Sequence, residues 1–265
     1  MRTGLRRREI MRRLYLTGYV EARELAEELG VDGSTIRRDF DALAREGHLE
    51  RTHGGARAQA GAIDIPYTVK RGQNLRAKQA VASHASRLVQ NGDSVLLDAG
   101  STTYQLALTL ASRRNLTIVT NDLLIGQTVA DYPGVRLLVT GGELLTYTYT
   151  LLGERAVAFV EDLRVDWTFL GADAIDLESG ITNTNTLEIP LKRAMVAAAR
   201  TSVVVADSSK FGKHALIRVA GIDEIDRIIS DDALEEPVAR SFGARLELAP
   251  FAQPEDAGLA GAGVG

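Results

Sequence analysis

The chain has no cysteine, which excludes disulfide bridges, thiolate zinc sites, iron–sulfur clusters and a cysteine nucleophile. Its four histidines, His48, His53, His84 and His214, lack metal-ligand spacing, and neither a metal nor a cofactor is expected. No apolar run approaches the roughly 20 residues that a membrane span needs. The N-terminus is basic, but no apolar segment with a small-residue cleavage site follows it, so neither a secretory signal nor a membrane partner is indicated. These absences point to a cytoplasmic protein. What is present is ordinary globular composition: 265 residues, 45% hydrophobic and 25% charged, enough for one large domain or two smaller ones.

The net charge of -4 is unevenly distributed. Residues 1–57 contain no lysine, but 12 arginines against 10 acidic residues, giving +2. The remainder carries -6. Arg2, Arg6, Arg7, Arg8, Arg12 and Arg13 all fall within the first thirteen positions. A basic head on an acidic body suggests a polyanion-binding module carried by a soluble partner domain.

Within the head, Ile10, Met11 and Leu14 have helical spacing, with Gly18 placed to end the helix. Ala22, Leu25, Ala26 and Leu29 form an amphipathic stripe closed by Gly30. Ile36, Phe40 and Leu43 define a third helix, for which Asp32 is a suitable N-cap. Two short helices joined by a tight glycine-containing turn form a helix-turn-helix. At 100° per residue, Ser34, Arg38 and Arg45 point away from Ile36, while Thr35 and Arg37 flank them. Arginine bonds guanine edges bidentately and hydroxyls bond phosphate or bases, so this face suits a DNA groove. The stretch from Gly47 to Ala56 reads as a β-hairpin wing with Arg51 and His53 near its tip.

Residues 58–73 lack periodicity and read as a linker, and 74–248 as an α/β domain. Strands are predicted over 95–98, 116–120, 135–140, 166–170, 202–206 and 225–230. Helices are predicted over 75–90, 102–112, 122–131, 154–162, 186–200 and 213–218. This alternation implies a mostly parallel sheet covered on both faces, with ligands bound beyond the strands' carboxyl ends. Those ends carry Asp98, Gly100, Ser101, Thr102 and Thr103; Thr120 and Asn121; Gly141 and Gly142; Asp173; and Lys210. Glu188 and Lys192 stand one helical turn apart between the fourth and fifth ends. Glycine admits a ligand close to the backbone, helix N-termini and lysines bind phosphate, and carboxylates accept from hydroxyls. The set suits a small phosphorylated polyol. Residues 249–265, rich in proline, glycine and alanine, read as a disordered tail.

The string Thr35-Ile36-Arg37-Arg38-Asp39-Phe40 with His53-Gly54-Gly55-Ala56 resembles the winged helix of the DeoR family of bacterial transcriptional regulators. Asp32 departs from that family's usual serine; it caps a helix equally well but repels a nearby phosphate. Asp98 to Thr103, Thr120-Asn121, Gly141-Gly142, Gly153, Gly180, Glu188 with Lys192, and Asp207 to Phe211 resemble the family's sensor domain, whose fold is similar to ribose phosphate isomerases. The resemblance implies a repressor of a carbohydrate operon that binds double-stranded DNA and responds to a phosphorylated sugar or related metabolite. A homodimer or homotetramer is expected, since one short recognition helix reads few base pairs. The alternative is a sugar-phosphate isomerase-like enzyme with an accessory winged helix, which has carboxylates and lysines for proton transfer but no need of a DNA-binding head.

Overall fold

The computed structural model describes residues 2–17, 19–45, 48–58, 67–145 and 148–251. The head comprises helix α1 (Thr3–Thr17), strand β1 (Tyr19–Glu21), helices α2 (Ala22–Leu29) and α3 (Gly33–Arg45), and strands β2 (Leu49–Arg51) and β3 (Gly55–Ala58). The apolar stripes read from the sequence meet in one core: Ile10, Met11 and Leu14 of α1, Leu25 of α2, and Ile36, Phe40 and Leu43 of α3 are buried together. Asp32 caps α3 as expected, accepting from the Ser34 backbone N–H at 2.7 Å. The wing is real, and it gains a third strand: β1 pairs antiparallel with β3, giving the order β1-β3-β2.

One polar contact runs through this core. Asp39 of α3 is almost fully buried and accepts from Arg6 Nε at 2.5 Å and from Arg7 Nε at 3.0 Å. Arg12 and Arg13 pair with Glu9, and Arg13 also reaches Glu28 at 2.6 Å. Four of the six N-terminal arginines therefore serve ion pairs within the head.

The body starts with helices α4 (Tyr67–Gly72) and α5 (Leu75–Ser86). Then come β4 (Ser94–Leu97), α6 (Ser101–Thr109), β5 (Thr117–Thr120), α7 (Leu123–Val129), β6 (Arg136–Val139), β7 (Glu143–Leu145) and β8 (Thr150–Leu152). They are followed by α8 (Glu154–Glu161), β9 (Val165–Leu170), β10 (Ala174–Asp176), β11 (Gly180–Asn183), α9 (Ile189–Ala198) and β12 (Ala199–Val205). The last elements are β13 (Ile217–Ala220), β14 (Arg227–Asp231), α10 (Glu236–Ser241) and β15 (Leu246–Ala249).

Seven strands form one sheet in the order β15-β14-β12-β9-β4-β5-β6, and every neighbouring pair is parallel. Successive residues of a strand face opposite sides, so Leu96 of β4 joins a core with Met195 of α9, while Val95 and Leu97 join another with Val81 of α5 and Leu106 of α6. Both faces are covered, and all the carboxyl ends lie along one edge.

Three expectations need correction. The span 213–218 is not a helix: Ile217–Ala220 is a strand that pairs antiparallel with β11, its Val219 and Ala220 buried. The span read as a linker holds α4 over Tyr67–Gly72, anchored by the buried Tyr67. At the C-terminus, 246–249 forms the edge strand β15, while residues 252–265 of the expected tail, together with Gly18 and Gly47, lie outside the described residues.

Asp39→Ala removes the buried carboxylate that Arg6 and Arg7 share. A single broken buried pair costs about 3–5 kcal/mol, so urea unfolding of this variant is expected to show a loss of about 3 kcal/mol in the head. An unchanged midpoint would count against the pair's structural weight.

Candidate functional site

Two surfaces concentrate the sequence-predicted residues. On α3, Ser34, Arg37, Arg38 and Arg45 are exposed and Thr35 is half-buried. Among the described residues no ion pair holds Arg37 or Arg38; Arg45 donates to the Asp41 carbonyl at 3.3 Å. His53 is exposed in the turn between β2 and β3. Arg51 differs from expectation. It pairs with Asp41 at 3.2 Å and lies over the Phe40 ring at 5.3 Å, so it ties the wing to α3.

The second surface is an open cleft at the carboxyl edge of the sheet, with about 750 Å³ of free space including the part continuous with solvent. Gly100, Ser101 and Thr102 line it at the N-terminus of α6, and Asp173, Glu188, Lys192 and Lys210 line it from the other strand ends. Asp98 lies in the floor, where its carboxylate accepts from the Lys192 ammonium and, at 3.0 Å, from the Gly171 N–H. Lys192 also donates to the Gly171 carbonyl at 3.0 Å.

Other predicted residues support the cleft without lining it. Thr103 turns back to the Gly100 carbonyl at 2.9 Å, and Thr120 bonds the Leu97 carbonyl at 2.8 Å. Asn121 is buried and outside the cleft lining, as is its neighbour Asp122, which serves the backbone instead. The Asp122 carboxylate caps α7 through the N–H groups of Leu124 (2.7 Å) and Ile125 (3.1 Å), and reaches the Gly100 N–H at 3.3 Å. Gly141 and Gly142 are exposed and outside the cleft lining. Gly142, at φ 101°, lies so close to the Leu152 carbonyl that a Cβ there would collide with it; glycine serves the β7–β8 hairpin here.

The sequence reading missed one wall of the cleft, made of Tyr67, Lys70, Gln73, Asn74 and Lys78. Most of these residues fall in the supposed linker. Lys78 donates to the carbonyls of Lys70 (2.5 Å) and Gln73 (2.6 Å), pinning the end of α4. Lys70 bonds Asp173 at 3.2 Å, and Asn74 bonds Asp207 at 2.8 Å and Ser209 at 3.1 Å. On the far side, Asn183 donates to Glu188 at 3.0 Å. The Tyr67 hydroxyl is buried and, among the described residues, has no hydrogen-bond partner.

The sequence pattern of the DeoR-like helix-turn-helix domain matches residues 6–60, and that of the DeoR C terminal sensor domain matches residues 73–232. The chain belongs to the DeoR family. It is 31% identical over 214 residues to the glycerol-3-phosphate regulon repressor of Escherichia coli strain K12, covering 81% of this chain and 85% of that one. It is 36% identical over 212 residues to the HTH-type transcriptional regulator GlpR of Haloferax volcanii, covering 80% and 83%. Ribose 5-phosphate isomerase A of Methanocaldococcus jannaschii is similar over 52% of this chain and 55% of that one, at 19% identity and a TM-score of 0.39. This DeoR-family chain is a transcriptional regulator rather than an enzyme. Among the described residues no helix is long and apolar enough to cross a membrane, and no group of three or more His, Cys, Asp or Glu could hold a metal ion.

The regulator's cleft holds strongly perturbed charges. Burial works against the Lys192 ammonium, but Asp98, Glu188 and Asp173 together outweigh it and hold its pKa above the ordinary lysine value. Burial also opposes the Asp173 carboxylate, but Lys70, the Thr184 N–H and Lys192 overcome this and depress its pKa. Burial raises Asp122 to about 6 in spite of its three backbone donors. Lys78 is lowered to about 8, chiefly by burial and further by Lys210 and Lys70, with Asp207 opposing.

An oxyanion in the cleft favours the protonated form of Lys78, so binding above pH 8 must draw a proton from solvent. Affinity for a phosphorylated ligand is therefore expected to fall as pH rises through about 8, by up to roughly tenfold per unit for this one group. Calorimetry across pH 7 to 10 checks this. A flat profile to pH 10 would separate Lys78 from the anion.

Proposed function

We propose that this regulator represses a carbohydrate operon, reading operator DNA with α3 and responding to a small phosphorylated polyol or sugar held in the cleft. The observation that carries the reading is the composition of the cleft: four lysines (Lys70, Lys78, Lys192 and Lys210) line it together with the N-terminus of α6 and with Tyr67, whose buried hydroxyl has no hydrogen-bond partner among the described residues. Asp98 and Asp173 already neutralise Lys192 and Lys70. Among the described residues no ion pair neutralises Lys210 or Lys78; Lys78 donates to two carbonyls, with Asp207 near enough to act on its charge. These two cations and the first N–H groups of α6 suit a phosphate. Asp173, Glu188, Asp207 and Asn183 suit the hydroxyls of the rest of the molecule. The naming of a relative as a glycerol-3-phosphate regulon repressor supports the same ligand class.

For DNA, the assignment is Ser34, Thr35, Arg37 and Arg38 of α3 near bases and phosphates, with Arg45 further along the helix and His53 at the wing tip. The exposure of Arg37 and Arg38 supports this. Arg51 contributes by fixing the wing against α3. A homodimer or homotetramer on a two-fold operator, in the cytoplasm, completes the proposal.

Arg38→Ala is expected to weaken specific operator binding by about 1–3 kcal/mol, the value of a bidentate base contact, while leaving ligand binding intact. Lys210→Ala is expected to do the reverse. Gel-shift titrations with promoter fragments and thermal-shift panels of phosphorylated sugars measure the two. Full operator affinity in Arg38→Ala, or full ligand affinity in Lys210→Ala, would overturn the respective assignment.

A further inference from the structure

Among the described residues a side-chain pair joins the head to the body beside the cleft. The Arg8 guanidinium of α1 lies over the Tyr149 ring, 5.1 Å from its centroid, and its Nη1 donates to the Tyr149 hydroxyl. Arg8 is partly buried there and has no carboxylate partner among the described residues. Tyr149 stands at φ 60°, a backbone conformation that aromatic residues rarely adopt. Such outliers persist only where their surroundings fix them, and they cluster at switch regions.

The surroundings of Tyr149 are the cleft. Its chain neighbours Thr148 and Thr150 both line the cleft. Its carbonyl accepts from the Leu123 N–H at 3.0 Å, next to Asp122, whose carboxylate reaches the Gly100 N–H at the mouth of α6. Its ring meets Tyr67 edge to face at 6.1 Å. Tyr67 in turn lines the cleft, and among the described residues its buried hydroxyl has no hydrogen-bond partner. On the other side, α1 carries Arg6 and Arg7, which grip Asp39 of the recognition helix.

We propose that Tyr149 and Arg8 are the positioning pair through which occupancy of the cleft reaches α3. The inference rests on the ligand and DNA assignments made above and adds the route between them. A ligand that takes the Tyr67 hydroxyl or contacts Thr148 and Thr150 moves the Tyr149 ring, and the ring sets where Arg8, and with it α1, is held. The arrangement of α1 then passes to α3 through the buried Asp39 carboxylate. A ligand shifts operator affinity only as far as it distinguishes the two arrangements, and the operator shifts ligand affinity by the same factor.

The test uses the full chain, an operator duplex, and glycerol 3-phosphate and inorganic phosphate as probes. The readout is the ratio of operator dissociation constants with and without probe, beside probe affinity measured without DNA. Arg8→Ala and Tyr149→Phe are each expected to bring that ratio below about one-third of the wild-type value, within a coupling that typically spans about 5- to 150-fold. The double variant is expected to go no further than Arg8→Ala, and probe affinity without DNA to stay within about twofold. If Arg8 instead touched DNA, Arg8→Ala would weaken operator binding equally with and without probe, and that preserved ratio overturns the inference while leaving the proposed function standing. A ratio preserved in Tyr149→Phe with both bindings intact overturns it likewise. A wild-type chain that binds operator but neither probe removes the effector reading, and this inference with it.

Discussion

The buried Lys192–Asp98 ion pair is the constraint around which the body is arranged. The ammonium and the carboxylate are both withdrawn from water, and burying an isolated charge is prohibitively costly. They are tolerated because each is satisfied more than once: Asp98 by Lys192 and the Gly171 N–H, Lys192 by Asp98 and the Gly171 carbonyl. The closed polar ring joins the ends of β4 and β9 to α9, the two central strands to the helix beside them. It fixes the cleft floor electrically neutral. Whatever charge a ligand meets there comes from the walls, and the walls are where Lys78 and Lys210 stand.

The head obeys the same rule. Asp39 carries its charge into an otherwise apolar core and is matched by arginines from another helix. The consequence is a division of labour between two arginine pairs, one on α1 and one on α3. Arg6 and Arg7 hold the fold, whereas Arg37 and Arg38 remain exposed on α3. Guanidinium groups suit both tasks, because their fixed planar fork pairs with carboxylates inside and with base edges outside.

Much of this was legible in the sequence. Apolar periodicity located α1, α2 and α3, and short β-branched runs located all of the central strands, because both patterns are direct consequences of which face is buried. The place of Gly100, Ser101, Thr102, Asp173, Glu188, Lys192 and Lys210 in the cleft lining followed from topology, since a parallel sheet collects its strand ends on one edge. Several of the shortest elements escaped. The three-residue strands β7, β8 and β10 offer no repeat to detect, and Ile217–Ala220 was too brief to distinguish from a helical turn. Tyr67 and Lys70 were missed because α4 is a six-residue helix held by tertiary contacts rather than by its own pattern. The roles of Arg51 and Gly142 depend on partners distant in sequence, Asp41 with Phe40 and the Leu152 carbonyl, which no local spacing encodes.

The position of α4 bears on where this molecule divides. The matched sensor pattern starts at residue 73, yet Tyr67 and Lys70 of the cleft precede it. Measured by which side chains line the cleft, that unit reaches back at least to Tyr67. Grafting this body onto a foreign head at residue 73 would transplant a cleft without Tyr67 and Lys70, whereas a junction upstream of Tyr67 would keep both.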